Sequence, residues 1–210
     1  MRLADLDAIT VDAYGTTIEL VDPAPALDTA LRARGVERER WLIERAFAAE
    51  MEYYVPRSHE GRDAASLERL RQECAAVFLA ALGADLDAGE FAPAYVGALV
   101  FRPCDGAAEA LAELTARGLA LAVVSNWDCS LPDHLEAAGL RHRFAAVVTS
   151  AGAGVPKPDP RIFVSALERL GVPARRALHV GDGPADSEGA AAAGLQFAPA
   201  PLSSVAGSLT

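Results

Sequence analysis

The stretch that decides the fold is Ile9–Thr17, ITVDAYGTT, an apolar run that stops at an acid and turns at once. Ile9 and Val11 predict a buried strand, and Asp12 stands where that strand ends. In an open α/β sheet the carboxyl ends of parallel strands face the ligand crevice, and Gly15 permits a tight turn beside the acid. Asp12 is therefore a candidate nucleophile. An Asp ahead of a Gly-containing turn also serves simply as a turn or capping residue, so its standing depends on what the other strand ends carry.

The 210 residues are 51% hydrophobic, 23% charged and 6% aromatic, which suits a globular protein of one domain or two small ones. Cys74, Cys104 and Cys129 are widely spaced and odd in number, so neither a disulfide framework nor a clustered zinc site is expected. A cytoplasmic, reducing location is the default. The opening MRLADLDAI lacks the apolar segment of a signal peptide, and no run reaches the roughly 18 residues of a membrane span. A formal net charge of −10 argues against nucleic acid as a partner. Small anionic substrates stay open, because they respond to local charge.

Beyond the first strand, Ala26–Arg34 and Glu39–Tyr53 predict helices, and VPRSHEGRD at 55–63 has the Pro, Gly and Ser of a loop. Ala64–Leu82 predicts a third helix and Asp87 to about Ala98 a fourth, with Pro93 starting it late or bending it. From Phe101 strands alternate with helices, the signature of a parallel sheet. Strands are predicted at Leu119–Ser125, Ala145–Ser150, Ala177–Asp182 and, at an edge, Leu195–Ala198; helices at Gly106–Arg117, up to about Ala138, at Asp159–Leu170 and at Ser187–Ala193. The first strand is thus separated from its sheet by a helical insert.

If these strands are parallel, their ends converge. Asp12 ends the first, Ser125 with Asn126 the second, Ser150 the third, and Gly181 with Asp182 another. GVPKPDP sets Lys157 between two prolines, which fix the backbone and limit the reach of the ammonium. Asp182 and Asp186 within GDGPADSEGA, joined by Asp12 in space, make an oxygen-rich pocket suited to a hard cation such as Mg2+.

These residues, in this order, resemble the four motifs of the haloacid dehalogenase-like (HAD) hydrolases. The resemblance covers the whole chain and implies a Rossmann-like α/β core at 1–17 and 99–210, with a helical cap at 18–98. It implies Asp12 as nucleophile, Ser125 as the second-motif hydroxyl, Lys157 as the third-motif lysine and Asp182 with Asp186 as the fourth. Magnesium would be held by Asp12, Asp182, Asp186 and the backbone carbonyl of Tyr14, with Thr16 and Asn126 in contact with a small phosphorylated substrate. A phosphomonoester would be opened through an aspartyl phosphate that water then cleaves. Asp186 is also placed to hold a metal-bound water or to orient Lys157.

One position departs from the pattern. Phosphatases of the family carry a second Asp two residues after the nucleophile as general acid and base; here it is Tyr14, a phenol whose ordinary pKa of about 10 makes it a poor base. DAYGT resembles the metal-free L-2-haloacid dehalogenases. That branch has Ser and Asn where this chain has Asp182 and Gly183, and Tyr where it has Phe163. SNWD, GVPKPDPRIF and HVGD instead resemble a subgroup of HAD phosphatases that also lack the second Asp. A catalytically attenuated binding or regulatory protein is a further alternative.

Specificity is expected from the cap. Glu50, Tyr53, Tyr54, Arg57, His59, Arg62 and Asp63 lie in and just before the loop that, by resemblance, faces the active site. Arg57 or Arg62 would grip an anionic group through a guanidinium fork. Alternatively Arg62 and Asp63 pair or cap the third helix, and the tyrosines only pack. His179 reads as a hydrogen-bonded core histidine, His134 and His142 as surface residues, and Asp128 as lining the site or capping the next helix.

Overall fold

The computed structural model describes residues 5–208; residues 1–4 and 209–210, the outer ends of the expected core segments, lie outside the described residues. Strand β1 (Ala8–Val11) is buried along its whole length, as a strand covered on both faces must be. After the turn at Gly15 come β2 (Ile18–Leu20), then α1 (Ala24–Arg32), α2 (Arg40–Tyr54), α3 (Ala64–Leu82) and α4 (Ala88–Gly97). Strand β3 (Phe101–Pro103) pairs with β2 in a two-stranded ribbon. The chain then alternates through α5 (Ala107–Ala116), β4 (Ala120–Ser125), α6 (Leu131–Ala137), β5 (Ala146–Thr149), α7 (Ser150–Ala153) and α8 (Pro160–Leu170). It closes with β6 (Ala177–Gly181), α9 (Pro184–Ala193), β7 (Gln196–Pro199) and α10 (Leu202–Ser208).

Two compact units result, one reaching through Glu19 and resuming at Phe101, the other Leu20–Val100. In the first, five parallel strands lie in the order β5-β4-β1-β6-β7. After β1 the chain builds outward on one side and then on the other, so the strand order reverses at β1, the place where such sheets bind ligands. Alternation along β1 feeds two cores. Ile9 and Val11 join Val123, Val180, Leu111, Leu131 and Val205; Ala8 joins Val124, Val148, Ile162 and Phe163.

Several local expectations change. Val55–Glu60, expected as loop, is a 3-10 turn, and Asp63 caps α3 by accepting from Ser66 N at 2.8 Å. Helix α9 starts at Pro184 rather than Ser187, because proline fits the first helical position and Asp186 Oδ2 accepts from Gly183 N at 3.1 Å. Ser150 opens α7 instead of closing β5, since Thr149 Oγ1 caps that turn by accepting from Gly152 N at 3.0 Å. His134 is half-buried, its ring 4.8 Å from Phe101 and 5.8 Å from Trp127.

The helical unit packs around Leu27, Leu31, Ile43, Phe78, Phe91 and Tyr95, with the Phe78 ring stacked 6.0 Å from Phe91 and tilted against Tyr95 at 5.0 Å. Glu50 does not belong with the polar turn. It is buried in this bundle, accepting from Tyr95 Oη at 2.7 Å. Desolvation raises its pKa above the ordinary glutamate value, and hydrogen bonds from Cys74 and Tyr95 oppose that only in part. A neutral hydrogen bond contributes about 1 kcal/mol, whereas burying an ionised carboxylate costs several, so desolvation wins.

A raised folded-state pKa means that Glu50 favours folding while protonated and loses that benefit as pH rises through its folded value. Glu50→Gln, which keeps the acceptor without the charge, is expected to unfold at a higher temperature than wild type at about pH 8, with the gap closing toward about pH 4. Thermal unfolding followed by circular dichroism at both pH values checks this.

Candidate active site

The register of the sheet brings the strand ends level. Val11 is paired with Val123 on β4 and with Val180 on β6, and Asp12 N donates to Val180 O at 2.8 Å. Thr17 Oγ1 donates to Asp12 O at 2.6 Å, pinning the backbone of the acid from the far side of its own turn. Asp12 Oδ1 accepts from Ala13 N and from Lys157 Nζ, each at 2.7 Å. Both bonds fall on Oδ1.

Lys157 Nζ also donates to Asp186 Oδ1 at 2.6 Å. Asp12, Lys157 and Asp186 are all buried, and an ammonium desolvated to that degree is tolerable only because two carboxylates touch it. The lysine is held by its backbone as well. Asn126 Oδ1 accepts from Lys157 N at 2.6 Å and Asn126 Nδ2 donates to Lys157 O at 3.2 Å. Both ends of that amide grip the lysine's main chain, so Asn126 places Lys157.

Two glycines make room for the acids. Gly15 has φ +74°, and a Cβ there would overlap the Asp182 carboxylate; a Cβ on Gly181 would overlap Asp186. Oxygens of Asp12, Asp182 and Asp186 lie within 4.8 Å of one another. Asp182 is pushed above the ordinary aspartate value, first by desolvation and then by the charges of Asp12 and Asp186. Asp186 moves the other way: burial raises its pKa, but the hydrogen bond from His179 and the Lys157 charge and hydrogen bond outweigh it. The donor set is therefore all oxygen, carries excess negative charge at Asp182, and fits a hard divalent cation.

The remaining candidates divide. Ser125 is buried at the end of β4, and Thr16 Oγ1 is buried without a hydrogen-bond partner, a state that costs roughly 1–3 kcal/mol until an acceptor arrives. Tyr14 is 48% exposed and its backbone bridges to Ile18. Asp128 Oδ1 accepts from Ser130 N at 2.7 Å and from Ser130 Oγ at 2.6 Å, in the turn ahead of α6, whose N-cap is Ser130 without a side-chain cap bond. Ser150 Oγ bonds both Trp127 N and Trp127 O at 3.1 Å, holding the loop after β4; its position at a strand end was the only signal in the sequence.

Tyr54, Arg57, His59 and Arg62 belong to the helical unit. Arg57 lies 4.0 Å over the Tyr53 ring and donates to Tyr53 O at 2.9 Å; Tyr54 and His59 are half-buried and Arg62 is exposed. Arg62 N donates to Ser66 Oγ at 3.0 Å.

Comparison with known proteins gives a consistent picture. The family described as "Hydrolase: haloacid dehalogenase-like hydrolase" matches residues 6–194. Haloacid dehalogenase-like hydrolase domain-containing protein 3 of Homo sapiens is 37% identical over 188 residues, 83% of this chain and 73% of that one. Matches to its Bos taurus and Mus musculus forms span 37% of their length. A phosphoglycolate phosphatase of Rhodospirillum rubrum is 36% identical over 185 residues, 88% of this chain and 69% of that one. Among solved structures, L-2-haloacid dehalogenase from Xanthobacter autotrophicus aligns with a TM-score of 0.65 at 29% identity, covering 92% of this chain and 77% of that one. No described helix is long and apolar enough to cross a membrane.

Because the pKa of Asp182 is raised, its ionised form weakens the fold once pH exceeds its folded value. Asp182→Asn is expected to unfold at a higher temperature than wild type at about neutral pH in chelator. Magnesium is expected to raise the wild-type midpoint and to leave the variant unmoved, as read by calorimetry.

Proposed function

The chain belongs to the haloacid dehalogenase-like hydrolase family, and from that footing we propose that it is a magnesium-dependent phosphatase of a small phosphorylated metabolite. The observation that carries this reading is Asp182 beside Asp12 and Asp186, an acid cluster that a metal-free hydrolase has no use for. The phosphatase relative at 36% identity supports it.

Held by Asp12, Asp182 and the Tyr14 carbonyl, with Asp186 as the third acid, magnesium would supply the positive charge that offsets repulsion between anionic nucleophile and anionic phosphate. The Asp12 carboxylate attacks phosphorus in line; its bond to phosphorus forms as the ester oxygen departs, leaving an aspartyl phosphate. Lys157, hydrogen-bonded to Oδ1, holds that oxygen still and brings a cation to the incoming phosphoryl group. Ser125 and Thr16 supply hydroxyls to the phosphoryl oxygens. Water then attacks the intermediate, releasing phosphate and restoring the carboxylate. Tyr54, Arg57, His59 and Arg62 are the residues proposed to set the choice of substrate, guanidinium forks suiting a second anionic group.

Tyr14 is where this chemistry is weakest, because a phenol is a poor base for activating water at neutral pH. The same residue, together with the 29% identical dehalogenase, favours a second reading as a metal-independent 2-haloacid dehalogenase. Phe163 weighs against it: it is fully buried, with no hydroxyl to offer, where that branch has a tyrosine.

Hydrolysis of p-nitrophenyl phosphate is expected to require magnesium and to stop in excess chelator, with Asp12→Asn lowering it on the order of 10³-fold or more. Equal rates in chelator would end the metal role, and chloride release from 2-chloropropionate would favour the dehalogenase. Tyr14→Asp is expected to raise turnover of alkyl phosphates by roughly 10²-fold with less effect on the aryl ester, whose leaving group needs no proton.

A further inference from the structure

His179 is fully buried in β6, between Leu178 and Val180. Its neighbours face the core that holds Ile9 and Val11, so alternation turns His179 to the opposite face of the sheet, toward α8. Its Cα partner across the β1–β6 ladder is Thr10. Thr10 shares that face, and Thr10 Oγ1 lies 2.9 Å from His179 Nδ1. His179 Nε2 lies 2.9 Å from Asp186 Oδ1, the oxygen that also accepts from Lys157 Nζ.

The partners fix the tautomer. An ionised Asp186 only accepts, so Nε2 carries the proton, and Nδ1 accepts from the Thr10 hydroxyl. Burial above all lowers the ring's pKa below the ordinary histidine value. Phe163 meets the ring edge-on at 4.9 Å and 87°, and the Phe197 ring lies 6.4 Å from it. With Gly183 N on Oδ2, three donors hold the Asp186 carboxylate: His179, Lys157 and the start of α9.

We propose that His179, set by Thr10, is a positioning residue that locks Asp186 and through it aims Lys157 at Asp12. The idea rests on Lys157 and Asp12 forming the reacting pair of the function proposed above. A carboxylate that loses one of three donors turns more freely, and the ammonium bonded to it follows. Partners of this kind, one contact removed from the chemistry, change activity by roughly 10- to 100-fold when removed.

Lys157 is the only lysine in the 210-residue chain, so lysine labelled with ¹³C reports this one side chain in the full-length protein. A held ε-methylene shows two separate proton signals; a freely rotating one averages them. His179→Leu is expected to merge those signals and to lower kcat on p-nitrophenyl phosphate with magnesium roughly 10- to 100-fold while KM changes little. His179→Gln, whose amide can donate where Nε2 did, is expected to recover both. A folded His179→Leu that keeps two signals and wild-type kcat overturns the proposal. If that variant does not fold, Thr10→Val, which keeps the branched shape and removes the hydroxyl, is read by the same two measurements, and no change in either overturns it. If wild type hydrolyses no phosphate, the phosphatase reading fails, and the lysine signals alone decide whether His179 positions Lys157.

Discussion

The contact on which the rest of the core unit depends is the double ion pair of Lys157 with Asp12 and Asp186, at 2.7 and 2.6 Å in a buried setting. Remove the cation and two carboxylates are left buried with no compensating charge; remove either acid and the buried ammonium keeps a single carboxylate partner. The elements around it serve that balance. Asn126 after β4 holds the lysine's main chain, Gly181 clears space for Asp186, and Gly183, the residue before α9, gives that acid a backbone donor.

Sheet topology explains why such a pair forms at all. The strand order reverses at β1, so the central strand is flanked by β4 and β6, and the residues that leave those three strands emerge level with one another. Asp12 and the acids after β6 are thereby held close across more than a hundred positions, and Lys157 reaches them from the turn between α7 and α8. The two sides of the sheet then contribute differently. One is packed almost wholly with aliphatic residues, while the side toward α8 admits the Thr10–His179 pair that runs down to Asp186.

The helical unit follows a different rule. Its core is aromatic and aliphatic, yet it encloses Glu50 against Tyr95, an arrangement in which desolvation outweighs the hydrogen bonds. The polar turn that follows α2 is ordered by local contacts of its own: Arg57 rests on Tyr53, and Asp63 with Ser66 starts α3. Polar density in a sequence therefore marks both a buried acid and a surface turn, and only packing separates the two.

Much of this was legible in the chain itself. Apolar runs ending in Asp12, Ser125 and Asp182 identify strands and their ends, because a strand covered on both faces must be continuously apolar and a polar residue marks its exit; glycines after apolar stripes mark helix ends for a similar reason. The family motifs named the acids and the lysine. What sequence could not supply was direction and distance. Nothing in SNWD says that Asn126 faces the backbone of Lys157, nothing in ALHVGD says that His179 meets Asp186 instead of water, and the short ribbon of β2 and β3 is too brief to leave a pattern. Periodicity along a chain determines which residues are buried and where elements stop, since that depends on near neighbours; which buried polar groups meet depends on strand register across the sheet, and that only the folded structure decides.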